Sequence, residues 1–210
     1  MFPRVYPILD GAILQQRGVA LRQAAEALLE GGASILQLRW KDFFSAEVFQ
    51  HAEEIGRLCL QAGATFVVND RADMALLLNA GLHVGQDDLT PSQARTVIGP
   101  DRLLGVSTHN QIQFAKATSE PVHYLAIGPI YATASKTNPD PIVGTLELAR
   151  LRELTDKPLI AIGGIDLSNS QDVFRAGADS VAIISGLYPV GCSKATIRER
   201  FEEWQRTAGQ

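Results

Sequence analysis

The stretch Phe66–Asp88, FVVNDRADMALLLNAGLHVGQDD, decides how the rest of the chain is read. Phe66-Val67-Val68 is a short apolar, β-rich run that ends in Asn69-Asp70. A helix-like segment follows over Asp73–Ala80, and Gly81 turns the chain into a second strand, Leu82-His83-Val84, ending in Gly85-Gln86-Asp87-Asp88. Strand, helix, strand is one βαβ unit. Its strands run parallel, so both acidic ends lie on the same edge of the sheet. Asp70 and Asp88 are therefore expected to meet although 18 residues separate them. Two hard carboxylates with amides beside them suit Mg²⁺, which takes few protein ligands when a phosphate supplies the others. A second reading stays open on these residues alone. Asp70 could cap the helix after it, and Asp88-Leu89-Thr90-Pro91 has the form of a cap before a helix opened by proline.

Outward from this unit the same alternation repeats. Strands are expected at Val5–Leu9, Ser34–Arg39, Thr65–Asn69, Leu82–Val84, Leu103–Ser107, Val122–Ile127, Leu159–Ile162 and Ser180–Ile184. Between and after them, helical spacing or stop signals place helices at Val19–Glu30, Ser45–Gln61, Pro91–Val97, Asn110–Thr118, Thr145–Thr155, Ser168–Ala176 and Lys194–Arg206. The strands are continuous apolar runs, as they must be when both faces are covered. Eight such units with no room for a second core predict a single-domain α/β fold over residues 1–210, a closed (β/α)8 TIM barrel. A doubly wound open sheet is the runner-up; it usually has fewer units and leaves edge strands. Residues 128–144, GPIYATASKTNPDPIVG, hold three prolines and cannot be a helix, which marks an active-site loop.

Composition narrows the function classes. A chain of 210 residues, 46% apolar and 20% charged, is an ordinary globular composition, able to bury roughly 70% of its unfolded surface. A formal net charge of −4 argues against nucleic acid as partner. No apolar run is long enough to span a membrane, and the start shows no signal-peptide pattern. Cys59 and Cys192 sit in no metal spacing and read as reduced thiols of a cytoplasmic protein. Nothing bears on oligomeric state, which leaves a homo-oligomer open.

In a barrel of this kind the chemistry gathers at the C-terminal ends of the strands. Gln37, Arg39 and Lys41 fall at the second strand end, Asn69-Asp70 at the third, Gln86-Asp87-Asp88 at the fourth and Ser107-Thr108-His109 at the fifth. Thr133, Ser135 and Lys136 lie in the long loop after the sixth, Gly163-Gly164 follow the seventh, and Ser185-Gly186 the eighth. Two acids with the cations Arg39, Lys41 and Lys136 around them suit a polyanion bridged by Mg²⁺. Surface charge and a solvated loop are the plainer readings of the same cations. The glycine pair and Ser185 fit a second anion site at the loops after strands seven and eight. His109 reads more readily as a cap or a packed ring than as a general base, and His51, His83 and His123 as structural. No Ser/His/Asp order or zinc spacing is present.

Taken together, QLRWK (37–41), VVND (67–70), HVGQDD (83–88), GVSTH (105–109), GPIYATASK (128–136), AIGGI (161–165) and ISG (184–186) resemble the thiamine phosphate synthase (thiamin-phosphate pyrophosphorylase) family, in order over about residues 5–190. The resemblance implies a transferase that joins a hydroxymethylpyrimidine diphosphate to a thiazole phosphate and releases pyrophosphate. By motif, Gln37, Arg39, Lys41 and Asn69 would contact the pyrimidine diphosphate, Asp70 and Asp88 would hold Mg²⁺, and Ser107 would touch the pyrimidine. Thr133 and Ser135 would bind the thiazole phosphate and Lys136 the diphosphate, with Gly164, Ile184 and Ser185 completing the thiazole phosphate pocket. Arg39, Lys41, Lys136 and Ser107 would carry the catalytic work. The rivals are a thiazole tautomerase of the same superfamily, whose members tend to lose parts of the diphosphate and metal site, and a non-catalytic thiazole-phosphate-binding barrel. Two departures stand out. Thr137-Asn138-Pro139-Asp140-Pro141 replaces the lysine and aspartate that often follow Lys136, and the chain begins almost at its first strand, so the extra N-terminal helix of longer members is expected to be absent.

Overall fold

The structure, a computed structural model, describes residues 2–133 and 140–209. Eight parallel strands close on themselves in sequence order: β1 (Val5–Asp10), β2 (Ile35–Arg39), β3 (Thr65–Asn69), β4 (Gly81–Val84), β5 (Leu104–Thr108), β6 (Tyr124–Ile127), β7 (Leu159–Ile162) and β8 (Ser180–Ile183), with β8 pairing back onto β1. The expected (β/α)8 barrel is therefore observed, and the open sheet is excluded. Closure explains the apolar strands: β1, β4, β6 and β8 are buried at every position.

Around the barrel lie α1 (Gly11–Arg17), α2 (Leu21–Glu30), α3 (Ala46–Gln61), α4 (Ala72–Leu77), α5 (Pro91–Ile98), α6 (Gln111–Thr118), α7 (Gly144–Arg152), α8 (Ser170–Arg175) and α9 (Lys194–Ala208). Their starts are set by side-chain caps. Ser45 accepts from Val48 N, Asn110 from Gln113 N and Ser193 from Thr196 N, while Thr90 and Gln93 form a reciprocal capping box ahead of Pro91. Helix α1 was not expected from sequence. Asp10 caps it by accepting from Ile13 N at 3.0 Å, and Gly18, with φ +68°, ends it. No described helix is long and apolar enough to cross a membrane.

The core has two parts. One lies between barrel and helices and includes Leu28, Leu36, Ile55, Val68, Leu104, Leu159, Phe201 and Trp204. The other fills the inside of the barrel with Tyr6, Ile8, Ile35, Val67, Tyr124, Ala126, Ile160 and Ala182. Phe2 packs under this inner layer, its ring 5.1 Å from that of Tyr124. The inner layer is the floor on which the C-terminal rim of the barrel stands.

Candidate active site

A cavity of about 710 Å³ opens at that rim, within the range that holds one or two small ligands. On the β2–β4 side its wall is charged. Lys41, just past β2, donates to Asp70 Oδ2 at 2.6 Å. Asp88 accepts the Gly85 N–H at 2.7 Å. Burial pushes the Asp88 carboxyl above the usual aspartate range, and the Asp70 carboxyl beside it pushes it further. The two aspartates thus meet, as the parallel pairing of β3 with β4 requires. The capping reading fails for Asp70 but holds for the Asp88-Leu89-Thr90-Pro91 stretch, where Thr90 is the capping residue and Asp88 turns to Gly85 N–H instead. Thr90 caps α5, α4 begins without a side-chain cap, and Asp70 spends its carboxylate on Lys41. Asp70 also stands in the left-handed region at φ +65°, a costly backbone state for a residue with a side chain and one that clusters at functional sites.

Arg39 was expected as a cation facing the ligand, and it lines the cavity, but it is also ion-paired to the buried Asp10 at the end of β1. The pair uses part of a five-donor guanidinium and fixes its plane. The sequence pattern ends β1 at Leu9, one residue short of Asp10, which closes the strand with a buried carboxylate. Asn69 is buried on the cavity wall, and its Nδ2 has no hydrogen-bond partner among the described residues. A buried amide donor without a partner is costly unless a ligand supplies an acceptor.

Beneath the charged wall a chain of buried polar side chains crosses the barrel. Gln37 Nε2 donates to Tyr6 OH at 2.9 Å, Tyr6 OH and Tyr124 OH are 3.0 Å apart, and Tyr124 OH is 2.9 Å from His83 Nδ1. His83 Nε2 lies 2.8 Å from Ser107 Oγ. Gly105 makes this possible, since a Cβ there would stand 2.0 Å from the Tyr124 ring. Burial lowers the His83 pKa to about 4, outweighing the opposing pull of Asp88, so the imidazole is neutral at ordinary pH. Burial likewise raises both tyrosines above their usual range. His83 is packed, as expected, yet it reaches Ser107 and the cavity, which the sequence did not disclose. His123 is structural as expected, accepting from Leu104 N at 3.0 Å, and His51 lies exposed on α3.

The opposite wall is built from backbone. Gly128-Pro129 is a cis peptide, and the segment after it hydrogen-bonds to the end of β7: Ile130 N to Ile162 O and Tyr131 N to Gly163 O, both at 3.0 Å. Gly163 and Gly164 have φ of +95° and +67°. A Cβ at Gly164 would stand 2.4 Å from the Ala132 carbonyl oxygen, and one at Gly163 2.6 Å from Pro129 Cβ. The glycine pair is therefore required by the packing of this segment, a reason the anion-site reading did not contain. Val143 N donates to Pro129 O at 2.8 Å and Gly144 N to Ile130 O at 3.1 Å, so the two ends of the 128–144 loop are pinned together. His109 donates from Nδ1 to Gly128 O at 2.7 Å and lies 3.5 Å from Asp140. It is a tethered ring, in line with the plainer of its two readings.

A profile of the "Thiamine monophosphate synthase" family matches residues 5–187. The chain belongs to the thiamine monophosphate synthase family. A thiamine-phosphate synthase of Koribacter versatilis is 47% identical over 188 residues, covering 88% of this chain and 89% of that one. One from Chloroflexus aurantiacus is 38% identical over 93% of this chain and 90% of its own. Among solved structures, a thiamine phosphate pyrophosphorylase from Pyrococcus furiosus superposes with a TM-score of 0.84 at 26% identity, over 98% of this chain and 95% of that one. The resemblance read from seven motifs is borne out, and with it the expectation of a thiamine-phosphate synthase, a transferase of thiamine biosynthesis.

Of the residues expected in the site of this family member, Gln37, Arg39, Lys41, Asn69, Asp70, Asp88, Ser107, Thr133, Gly164, Ile184 and Ser185 all line the one cavity. Ser135 and Lys136 lie outside the described residues. Tyr6, Asp10, His83 and Tyr124 are the additions the structure makes. Among the described residues no third His, Cys, Asp or Glu joins Asp70 and Asp88 in a metal-holding group.

Proposed function

We propose that the cavity binds hydroxymethylpyrimidine diphosphate with its diphosphate toward β2–β4 and thiazole phosphate toward β6–β8, and that this placement drives the family's condensation. The carrying observation is the meeting of Asp70 and Asp88. Two carboxylates so close that Asp70 raises the proton affinity of Asp88 favour a divalent cation between them, and a pair is enough when phosphate oxygens and water supply the other ligands. Asp70 and Asp88 would hold Mg²⁺, which when bound neutralises charge on the departing diphosphate. Lys41, Arg39 and, from the loop, Lys136 bind the remaining diphosphate oxygens; Asn69 gives its unpartnered Nδ2 to the same substrate. Gln37 and Ser107 meet the pyrimidine. Thr133, Ser135, Gly164, Ile184 and Ser185 seat the thiazole phosphate.

The reaction then needs no protein nucleophile. The carbon–oxygen bond to the exocyclic methylene breaks, its electron pair leaves with pyrophosphate, and the pyrimidine's amino group delocalises the positive charge left behind. The thiazole nitrogen donates its lone pair to the methylene carbon and becomes the thiazolium of thiamine phosphate. The protein's work is to hold the two reactants in line, to stabilise the leaving group through Lys41 and Arg39, and to keep water from the methylene between apolar walls such as Ile160 and Ile162.

The test mixes purified protein with Mg²⁺ and both substrates and follows pyrophosphate and thiamine phosphate. Release in equal amounts, abolished by EDTA and restored by Mg²⁺, is expected. Undiminished release in EDTA would overturn the metal assignment, and thiazole phosphate binding without release would reveal a non-catalytic barrel.

A further inference from the structure

The polar chain across the barrel has a direction, and that direction bears on how the substrate is read. We propose that Tyr6 and Tyr124 are positioning residues, which with Gln37 and His83 hold the Ser107 hydroxyl as a hydrogen-bond donor into the cavity, so that the site reads an acceptor atom of the pyrimidine ring. The proposal rests on the reading above that Ser107 meets the pyrimidine.

A neutral imidazole has one donor and one acceptor nitrogen, and each hydroxyl has a single proton. Gln37 donates to the Tyr6 oxygen. If Tyr6 passes its proton toward Tyr124 and Tyr124 toward His83 Nδ1, then His83 carries its own proton on Nε2 and donates it to Ser107 Oγ. Every buried donor then has an acceptor, and the Ser107 proton is left for the cavity. In the opposite sense Ser107 donates to His83, His83 to Tyr124 and Tyr124 to Tyr6. The Tyr6 oxygen would then accept from both Tyr124 and Gln37, and its own proton would have no acceptor among the described residues. Tyr6 lines the cavity but is only 1% exposed, and Tyr124 is fully buried, so a free Tyr6 proton would be poorly hydrated. An unmatched donor at that depth is penalised, which selects the first direction.

Geometry supports a positioning role beyond packing. The Tyr124 ring stacks on His83 with centroids 5.5 Å apart and fills the space left by Gly105. Phenylalanine would fill the same space. The hydroxyls of Tyr6 and Tyr124 are spent on this one chain, all five of whose residues line the ligand cavity.

The experiment is steady-state kinetics on the full chain with Tyr124→Phe, Ser107→Ala and the double variant, each with its thermal midpoint recorded. Two pyridine analogues of the pyrimidine diphosphate, each lacking one ring nitrogen, serve as probes. Tyr124→Phe should lower kcat/KM for the pyrimidine diphosphate about tenfold, the worth of one misdirected hydrogen bond, and leave KM for thiazole phosphate unchanged. The double variant should be no worse than Ser107→Ala. One analogue should be turned over about tenfold less well than the natural substrate by the wild type, and that discrimination should vanish in both single variants. A Tyr124→Phe loss that persists in full on the Ser107→Ala background, or that falls equally on thiazole phosphate, assigns the tyrosine to packing and overturns the proposal. Unchanged pyrimidine kinetics in Ser107→Ala would instead remove the underlying contact, and the proposal with it. Should Tyr124→Phe not fold, analogue discrimination in the wild type against Ser107→Ala still decides whether Ser107 donates.

Discussion

The two walls of the cavity solve the same problem by different means. From β2 to β4 the wall is made of ionised side chains, Lys41 on Asp70 and Arg39 on Asp10, with Asp88 beside Asp70. From β6 to β8 it is made of backbone, with Gly163 and Gly164 admitting the segment after the cis Gly128-Pro129 peptide. Side chains can be exchanged without moving the chain, whereas a close backbone approach cannot. The first wall should therefore tolerate substitution structurally and fail chemically. The second should fail structurally first.

The largest effect belongs to the charged wall. Asp70→Ala or Asp88→Ala should lower turnover by at least ~10²-fold, since charge stabilisation at a leaving phosphate is worth several kcal/mol. Asp88→Ala relieves a carboxylate that burial and Asp70 disfavour, whereas Asp70→Ala also gives up the Lys41 ion pair, so both folding midpoints should stay within a few degrees of wild type. Turnover that survives either substitution would mean the carboxylates do not hold the cation.

Beneath that wall lies His83, whose ionisation burial displaces toward neutrality within the ordinary pH range. Its folded pKa of about 4 lies below the ordinary value of 6.5. At pH above 6.5 both folded and unfolded chains are neutral there, and the fold keeps its full stability. As pH falls from 6.5 to 4 only the unfolded chain takes up the proton, so about 3 kcal/mol is lost across that window. Asp88 works the other way, since its raised pKa means that protonation on acidification relieves the folded state. Urea midpoints of wild type and His83→Gln between pH 7 and pH 4 separate the two. The variant should show the flatter or even inverted profile, and equal slopes would place the acid sensitivity elsewhere.

How much of this was legible in advance follows the same division. The strands, the closure and the meeting of Asp70 with Asp88 follow from period and parallel pairing, which are local rules. The Ser45 cap and the Asp88-Leu89-Thr90-Pro91 stretch announced α3 and α5 for the same reason. Helix α1 was missed because its signals, Asp10 and Gly18, bracket only seven residues with one buried leucine. The link of Asp10 to Arg39 joins β1 to β2, and the link of Tyr6 to Tyr124 spans 118 positions. In a linear reading a tyrosine inside an apolar strand is one more core residue; only the closed barrel shows that its hydroxyl has nowhere to go but another hydroxyl. The need for Gly163 and Gly164 was visible as a motif, but its cause, a neighbouring loop at the van der Waals limit, was not.

A smaller effect is expected on the backbone wall, and of a different kind. Gly164→Ala forces a Cβ against the Ala132 carbonyl and the Tyr131 side chain at a φ of +67°. Relief requires the 128–133 segment to move, at a cost of about 1–3 kcal/mol. A drop in thermal midpoint should accompany a raised KM for thiazole phosphate, while binding of pyrimidine diphosphate with Mg²⁺, read by calorimetry, stays near wild type. Equal damage to both substrates would dissolve the distinction between the walls.

The smallest effect is the stability change in Lys41→Ala, and it sharpens the comparison most. The ion pair with Asp70 is short, but the lysine side chain is 53% exposed, and pairs so placed contribute about 0.2–1 kcal/mol. Lys41 also offsets the mutual repulsion of Asp70 and Asp88, being among the influences that lower the Asp88 pKa. Its removal should leave the thermal midpoint within a few degrees of wild type, while raising the proton affinity of Asp88 and so shifting the Mg²⁺ requirement to higher concentration at pH 6 than at pH 8. A variant that loses its fold would show that the charged wall supports the barrel. Turnover should also fall at every Mg²⁺ concentration, because Lys41 binds the diphosphate itself; full recovery at high Mg²⁺ would confine the lysine to the acids.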